Sequence, residues 1–324
     1  MAAPTISTAS SFNMTRDKIC QRALRLLQAI EAGETPGADL MATAVEALNA
    51  WTKEQQATGL HLWTETEGVV IPVPGQNSYA LGTGTPDMAV NGPLYGVLSA
   101  GNAAGSTVIN LVAPPGTVDG DTLAILSAAG QFTLSTITAI GASTVTIAAP
   151  GLLVAANQNA PVLTWHSTAT MSRPLRVLSL RRYNLQSKIN VPLMPLARLD
   201  FRGLPNQQQP GVINSWFYDP QLTFGRLWLW LSPQNPIGDV CNITYMRPLN
   251  DWTNPSNIGD FPQEWLSCIA YNLAVEMLPE FGVPTTQAQL LIQMAAQKLD
   301  ICQGFDKEPE SVFFGYASEP GFFR

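Results

Sequence analysis

The chain has 324 residues, enough for two or three domains with a buried core, and a formal net charge of −7. That acidic balance argues against a sequence-independent nucleic-acid binder, which needs clustered Lys and Arg. No apolar run approaches the ~20 residues of a membrane helix, and the first thirteen residues lack the basic and apolar regions of a signal peptide.

Residues 1–13 read as a flexible Ser/Thr/Ala-rich arm. Thr15 then caps a helix with Ile19, Ala23, Leu24, Leu27 and Ile30 on one side and Arg16, Lys18, Arg22 and Arg25 on the other. This basic face is either simply solvated or a contact for an acidic partner subunit. Thr35 caps a second helix with Pro36 at its first position, carrying Leu40, Ala44, Leu48, Trp51 and Gln55 and stopping at Gly59. Residues 14–60 are therefore a helix hairpin.

The pattern next changes to period two. Residues 61–83 and 171–250 form an antiparallel β-sheet domain, with strand-like runs such as Val69–Val73, Tyr79–Leu81, PLRVLSLRRYN, GRLWLWLS and CNITYMRPL. Trp228 and Trp230 alternate with Leu227, Leu229 and Leu231, so both faces of that strand need covering. No Lys or Arg lies between Glu54 and Ser172, and 84–170 is rich in Ala, Gly, Thr, Ser and Val. Short strand-like runs at about ten-residue spacing make 84–170 an inserted all-β, sandwich-like domain.

Residues 251–303 return to helical period. Asp260 caps a helix of about 18 residues, ~27 Å long, bearing Trp265, Ile269, Leu273 and Met277. After Phe281-Gly282-Val283-Pro284, a second helix carries Leu290, Leu291, Met294, Ala295 and Leu299. Neither hairpin hides its apolar stripe alone, so the two pack on each other as a small antiparallel bundle. Ile19, Leu27, Leu48, Trp51, Trp265, Ile269, Leu273, Met277, Leu291 and Leu299 are the packing residues. The fold class is α+β. Residues 304–324 form an extended tail whose Phe305, Phe313, Phe314, Tyr316, Phe322 and Phe323 suit docking in a partner's groove or folding back on its own sheet.

Catalytic motifs are missing. There is no GxGxxG, P-loop, HExxH or GxSxG. Neither His61 nor His166 has both a carboxylate and a nucleophile close in sequence, and both read as packing or surface residues. Cys20, Cys241, Cys268 and Cys302 show no paired spacing and read as buried small side chains in a reducing compartment rather than a zinc site or disulfide. Trp216-Phe217-Tyr218 with Trp228 and Trp230 is either core packing or a stacking platform. No catalytic residue, cofactor or metal is expected.

Six segments in order carry a resemblance: RDKICQRALRLLQAIEAGETP, ALNAWTKEQQATGLHLWTE, RPLRVLSLRRYN, YDPQ with GRLWLWLSP, ITYMRPLNDW, and FPQEWLSCIAYNLAVEMLPEFG. Over about 1–82 and 171–312 the chain resembles the head-to-tail adaptors of short-tailed bacteriophages, also called tail accessory factors or packaged-DNA stabilisation proteins. The resemblance implies a virion protein assembled in the host bacterial cytoplasm. It implies a ring of twelve copies under the portal protein, with the C-terminal extension inserted into the portal and the tail nozzle or hub on the lower face. Tail fibres are a further partner, and DNA passes through the channel without specific binding. Some members of that family are credited with peptidoglycan hydrolysis, but no motif here receives such residues. A hydrolase and a glycan-binding tail module are the alternative functions.

Overall fold

The computed structural model describes residues 12–58, 62–84, 87, 89–234 and 238–306. The protein is mixed α+β, with six helices and several antiparallel sheets among the described residues. Two compact units divide the chain. One joins its ends, Met1–Trp63 and Leu249–Arg324, and the other is the continuous stretch Thr64–Pro248.

The first unit is helical: α1 (Arg16–Leu26), α2 (Ala38–Thr58), α4 (Trp265–Glu276), α5 (Leu278–Phe281) and α6 (Thr285–Phe305). α4 is its centre. Trp265, Leu266, Cys268, Ile269, Ala270, Leu273 and Ala274 are all buried, which takes in more than one face, as expected of a helix surrounded by others. Ile19, Leu27, Leu48, Trp51, Trp265, Ile269, Leu273, Met277 and Leu291 are buried in a single core, and Leu299 packs against it. Each such side chain contributes roughly 1.5–3 kcal/mol by leaving water.

The helix ends differ from the local signals. Thr15 takes the N-cap position of α1 in extended geometry but makes no side-chain cap bond. Instead the Arg16 N–H donates to the Asn257 carbonyl at 2.9 Å and the Asp17 N–H to that of Pro255 at 3.4 Å. A remote loop thus satisfies donors that a hydroxyl usually takes. α2 starts at Ala38, with the Gly37 carbonyl accepting from Met41, so Thr35 and Pro36 lie just outside it. Asp260 does not cap α4, which begins at Trp265; its carbonyl accepts the Trp63 indole N–H at 3.1 Å. The expected long helix is two pieces, α4 and α5, ended by Gly282 in the left-handed region at φ 58°. Gly59 and His61 lie outside the described residues.

In the second unit the five-stranded sheet runs β11 (Asn190–Pro192), β10 (Arg176–Asn184), β17 (Asp239–Met246), β1 (Glu65–Val70), β3 (Ala89–Asn91). A four-stranded sheet runs β12 (Met194–Pro195), β14 (Ser215–Pro220), β15 (Gly225–Trp230), β2 (Ser78–Leu81), and β13 (Pro210–Gly211) pairs with β16 (Ser232–Pro233). The short helix α3 (Arg198–Arg202) precedes β13. A six-stranded sheet runs β4 (Leu94–Val97), β9 (Pro161–Trp165), β6 (Thr122–Leu126), β7 (Phe132–Ile140), β8 (Val145–Ile147), β5 (Val108–Ile109). Leu62–Thr64 forms a 3-10 turn ahead of β1.

Alternation explains how these sheets pack. Val70, Leu180, Cys241, Ile243 and Tyr245 point from the five-stranded sheet into a core shared with Tyr79, Trp216, Leu227 and Leu229 of the four-stranded one. The opposite face sends Val69, Val90 and Val240 against Ala124, Leu163 and Trp165 of the six-stranded sheet. Residues 84–170, read as an insert, therefore do more than form a separate sheet. Their first strand β3 pairs with β1, Val90 bridges to Thr170, and Ala124, Leu163 and Trp165 share a core with the five-stranded sheet, while Leu98, Ile109, Leu123, Ile137 and Val162 belong to a core of the stretch's own.

Candidate functional site

The helical unit holds the residues expected to make contacts, and it separates them into two kinds. On α1, Arg16 is held inward: its guanidinium pairs with Asp17 at 2.9 Å and donates to the Thr253 carbonyl at 3.0 Å. Arg22 lies over the Tyr271 ring at 5.8 Å, with Lys298 of α6 also over that ring at 4.8 Å. Lys18 and Arg25 remain exposed. The basic face thus consists of two solvated cations and two that brace the unit internally.

On α6 the expected stripe splits. Leu291 and Ala295 face the core, while Leu290 is 57% and Met294 38% exposed. Ile301 and Phe305 are exposed at 64% and 72%. At 100° per residue, Leu290, Met294, Ile301 and Phe305 fall within an arc of about 60°. They make an apolar line along the outside of the last helix. At its end a hollow of about 190 Å³ is lined by Leu62, Trp63, Pro262, Trp265, Phe305 and Asp306. Phe313, Phe314, Tyr316, Phe322 and Phe323 lie outside the described residues.

The aromatic run around Trp216 is covered. Trp216 enters the sheet core, and its indole N–H donates to the Leu193 carbonyl at 3.2 Å. Phe217 stacks on Phe201 of α3 at 5.5 Å, under the Arg198 guanidinium at 5.6 Å. Trp228 meets the same Phe201, and Trp230 donates to the Asn206 carbonyl. α3 and the loop after it thus cap this surface.

His166, unlike its sequence neighbourhood, has a carboxylate. Its Nδ1 lies 2.8 Å from Asp121 Oδ1, with the Asp121 side chain 2% and the imidazole 53% exposed. The register that sets Thr122 opposite Trp165 brings them together. The arrangement orients an imidazole, and no hydrogen bond from it to a Ser, Cys or Thr side chain is seen among the described residues. A hollow of about 650 Å³ between Asn250 and Asp260 contains Asp251, which pairs with Lys53 at 2.5 Å, and Asp260, whose carboxylate accepts from the Asn250 N–H at 3.4 Å.

All four cysteines are free and buried. Burial pushes the Cys20, Cys241 and Cys268 thiols up to about 12, so at neutral pH they are poor nucleophiles and poor metal ligands. No cluster of three or more His, Cys, Asp or Glu able to hold a metal occurs among the described residues. No described helix is long and apolar enough to cross a membrane. No family model and no curated protein sequence matches the chain.

Proposed function

We propose that this chain is the head-to-tail connector of a short-tailed bacteriophage: a structural subunit that assembles as a ring beneath the portal and extends the DNA channel. In this reading the helix hairpins of 14–60 and 251–303 form the assembly bundle, and the tail nozzle builds on the ring's far side. The observation that carries it is the exposed apolar line Leu290, Met294, Ile301 and Phe305 on α6. A helix that buries one stripe in its own unit and leaves a second stripe wet is built to meet another surface. The ordered set of segment resemblances from Arg16 to Gly282 supplies the class of assembly.

The tail expected over 304–324, of which Gly304 and Phe305 are in fact the end of α6, docks on the portal through its phenylalanines. DNA slides through without sticking because an acidic protein releases few counterions from phosphate. The protein is not an enzyme in this account, and no cofactor is needed. Removing residues 307–324 tests it: pull-down on portal rings is expected to fall at least tenfold, and undiminished binding would sink the docking step. Incubation with purified peptidoglycan is expected to release no fragments.

A further inference from the structure

One face of the five-stranded sheet packs Val69, Val90 and Val240 against the six-stranded sheet, and the same face carries polar residues beside that contact. There Glu67, Arg181 and Asn242 stand on three adjacent strands, set by the registers Val69↔Asn242 and Arg181↔Asn242. The Arg181 guanidinium pairs with Glu67 at 2.9 Å, their side chains 36% and 76% exposed. Asn242 Oδ1 is shielded from solvent yet has no hydrogen-bond partner among the described residues, and neither has Arg181 Nε. Tyr95, on the edge strand β4, and Pro93 wall a cleft of about 250 Å³ whose floor is Glu67, Val69 and Asn242. Tyr95 is 48% exposed. Burial, with Tyr183 and Glu67 nearby, raises its phenol above the ordinary value, so it stays a neutral donor and acceptor.

We propose that this cleft is a binding site for a neutral saccharide, one ring stacking on Tyr95 while its hydroxyls bond Glu67 and Asn242, with Arg181 holding the Glu67 carboxylate from outside the cleft. An aromatic face suits the C–H side of a sugar ring, and a floor of fixed donors and acceptors suits hydroxyls that both give and accept. Asn242 supplies an acceptor that a hydroxyl would satisfy, which removes the penalty of an unpaired buried polar atom. The guanidinium is already neutralised by Glu67, so the site favours a neutral polyol over a phosphate or sulfate. The size fits one or two rings, at the small end of ligand pockets. This inference does not rest on the connector reading.

Saturation-transfer NMR on the full chain tests it, using chitotriose, maltotriose, mannotriose and galactotriose at about 10 mM, with phosphorus-31 line broadening of inorganic phosphate as the anionic arm. At least one trisaccharide is expected to bind, with a Kd on the order of 1 mM. Tyr95→Ala and Asn242→Leu should each weaken it at least tenfold while the melting temperature holds, and Tyr95→Phe should stay within about threefold because the ring remains. Silence from all four sugars, binding unchanged in Tyr95→Ala and Asn242→Leu, or binding of phosphate in their place overturns the proposal.

Discussion

Trp63 and Trp265, from opposite ends of the chain, meet edge to face with ring centroids 5.1 Å apart. Phe261 lies beside both and also beside Trp51 and Trp252, at 5.9 to 6.4 Å. One phenyl ring thus ties four tryptophans from the two separated stretches of the helical unit. Phe261→Ala is expected to cost about 3 kcal/mol by urea unfolding, through lost area and the cavity left behind. Phe261→Leu, which keeps most of the volume, should cost about half as much. A cost below about 1 kcal/mol for the alanine variant would mean that the cluster rearranges around the gap.

The thiols make a pH prediction. Cys20, Cys241 and Cys268 are raised from 9.0 to about 12 chiefly by desolvation. The folded state therefore holds these protons more tightly than the unfolded chain does. Their stabilisation is fully present below pH 9 and is lost as pH rises toward 12. Unfolding free energy should decline over that window, less steeply in Cys241→Ala. At pH 8 a disulfide reagent should titrate almost no thiol in native protein and all four in urea.

Two glycines should respond in opposite directions. A Cβ at Gly259 would sit 1.9 Å from the Trp252 ring, whereas one at Gly304, in the last turn of α6, meets nothing within 4 Å. Gly259→Ala should cost at least about 2 kcal/mol, because the indole is wedged in the aromatic cluster. Gly304→Ala should instead add roughly 0.5–1 kcal/mol, by lowering the entropy of the unfolded chain. Thermal melts of the two variants check both signs.

Legibility in the sequence followed the range of the forces involved. Helical period reports burial directly, and of the ten apolar positions it picks out nine are buried with Leu299 packed alongside. Period two marked β15, where Leu227 and Leu229 go inward and Trp228 outward. Thr15 is at the N-cap as its type suggests, but carbonyls of Asn257 and Pro255, some 240 residues away, replace its side-chain bond, and α2 and α4 begin later than Thr35 and Asp260 suggest. The His166–Asp121 pair and the Glu67–Arg181–Asn242 cluster stayed hidden for the same reason. Each exists only through strand register, which no local spacing encodes. The outer stripe of α6 was visible as apolar residues, but only packing shows that Leu290 and Met294 stay wet while Leu291 and Ala295 do not.

The connector reading stands or falls on assembly. The most direct measurement is electron microscopy, with mass photometry, of the purified full chain alone and after mixing with portal rings. The account predicts closed rings of uniform symmetry, formed freely or on the portal, and lost when Leu290 and Ile301 are both changed to Glu while the thermal melt is retained. Monomers that stay monomeric and unbound in the presence of portal would contradict it.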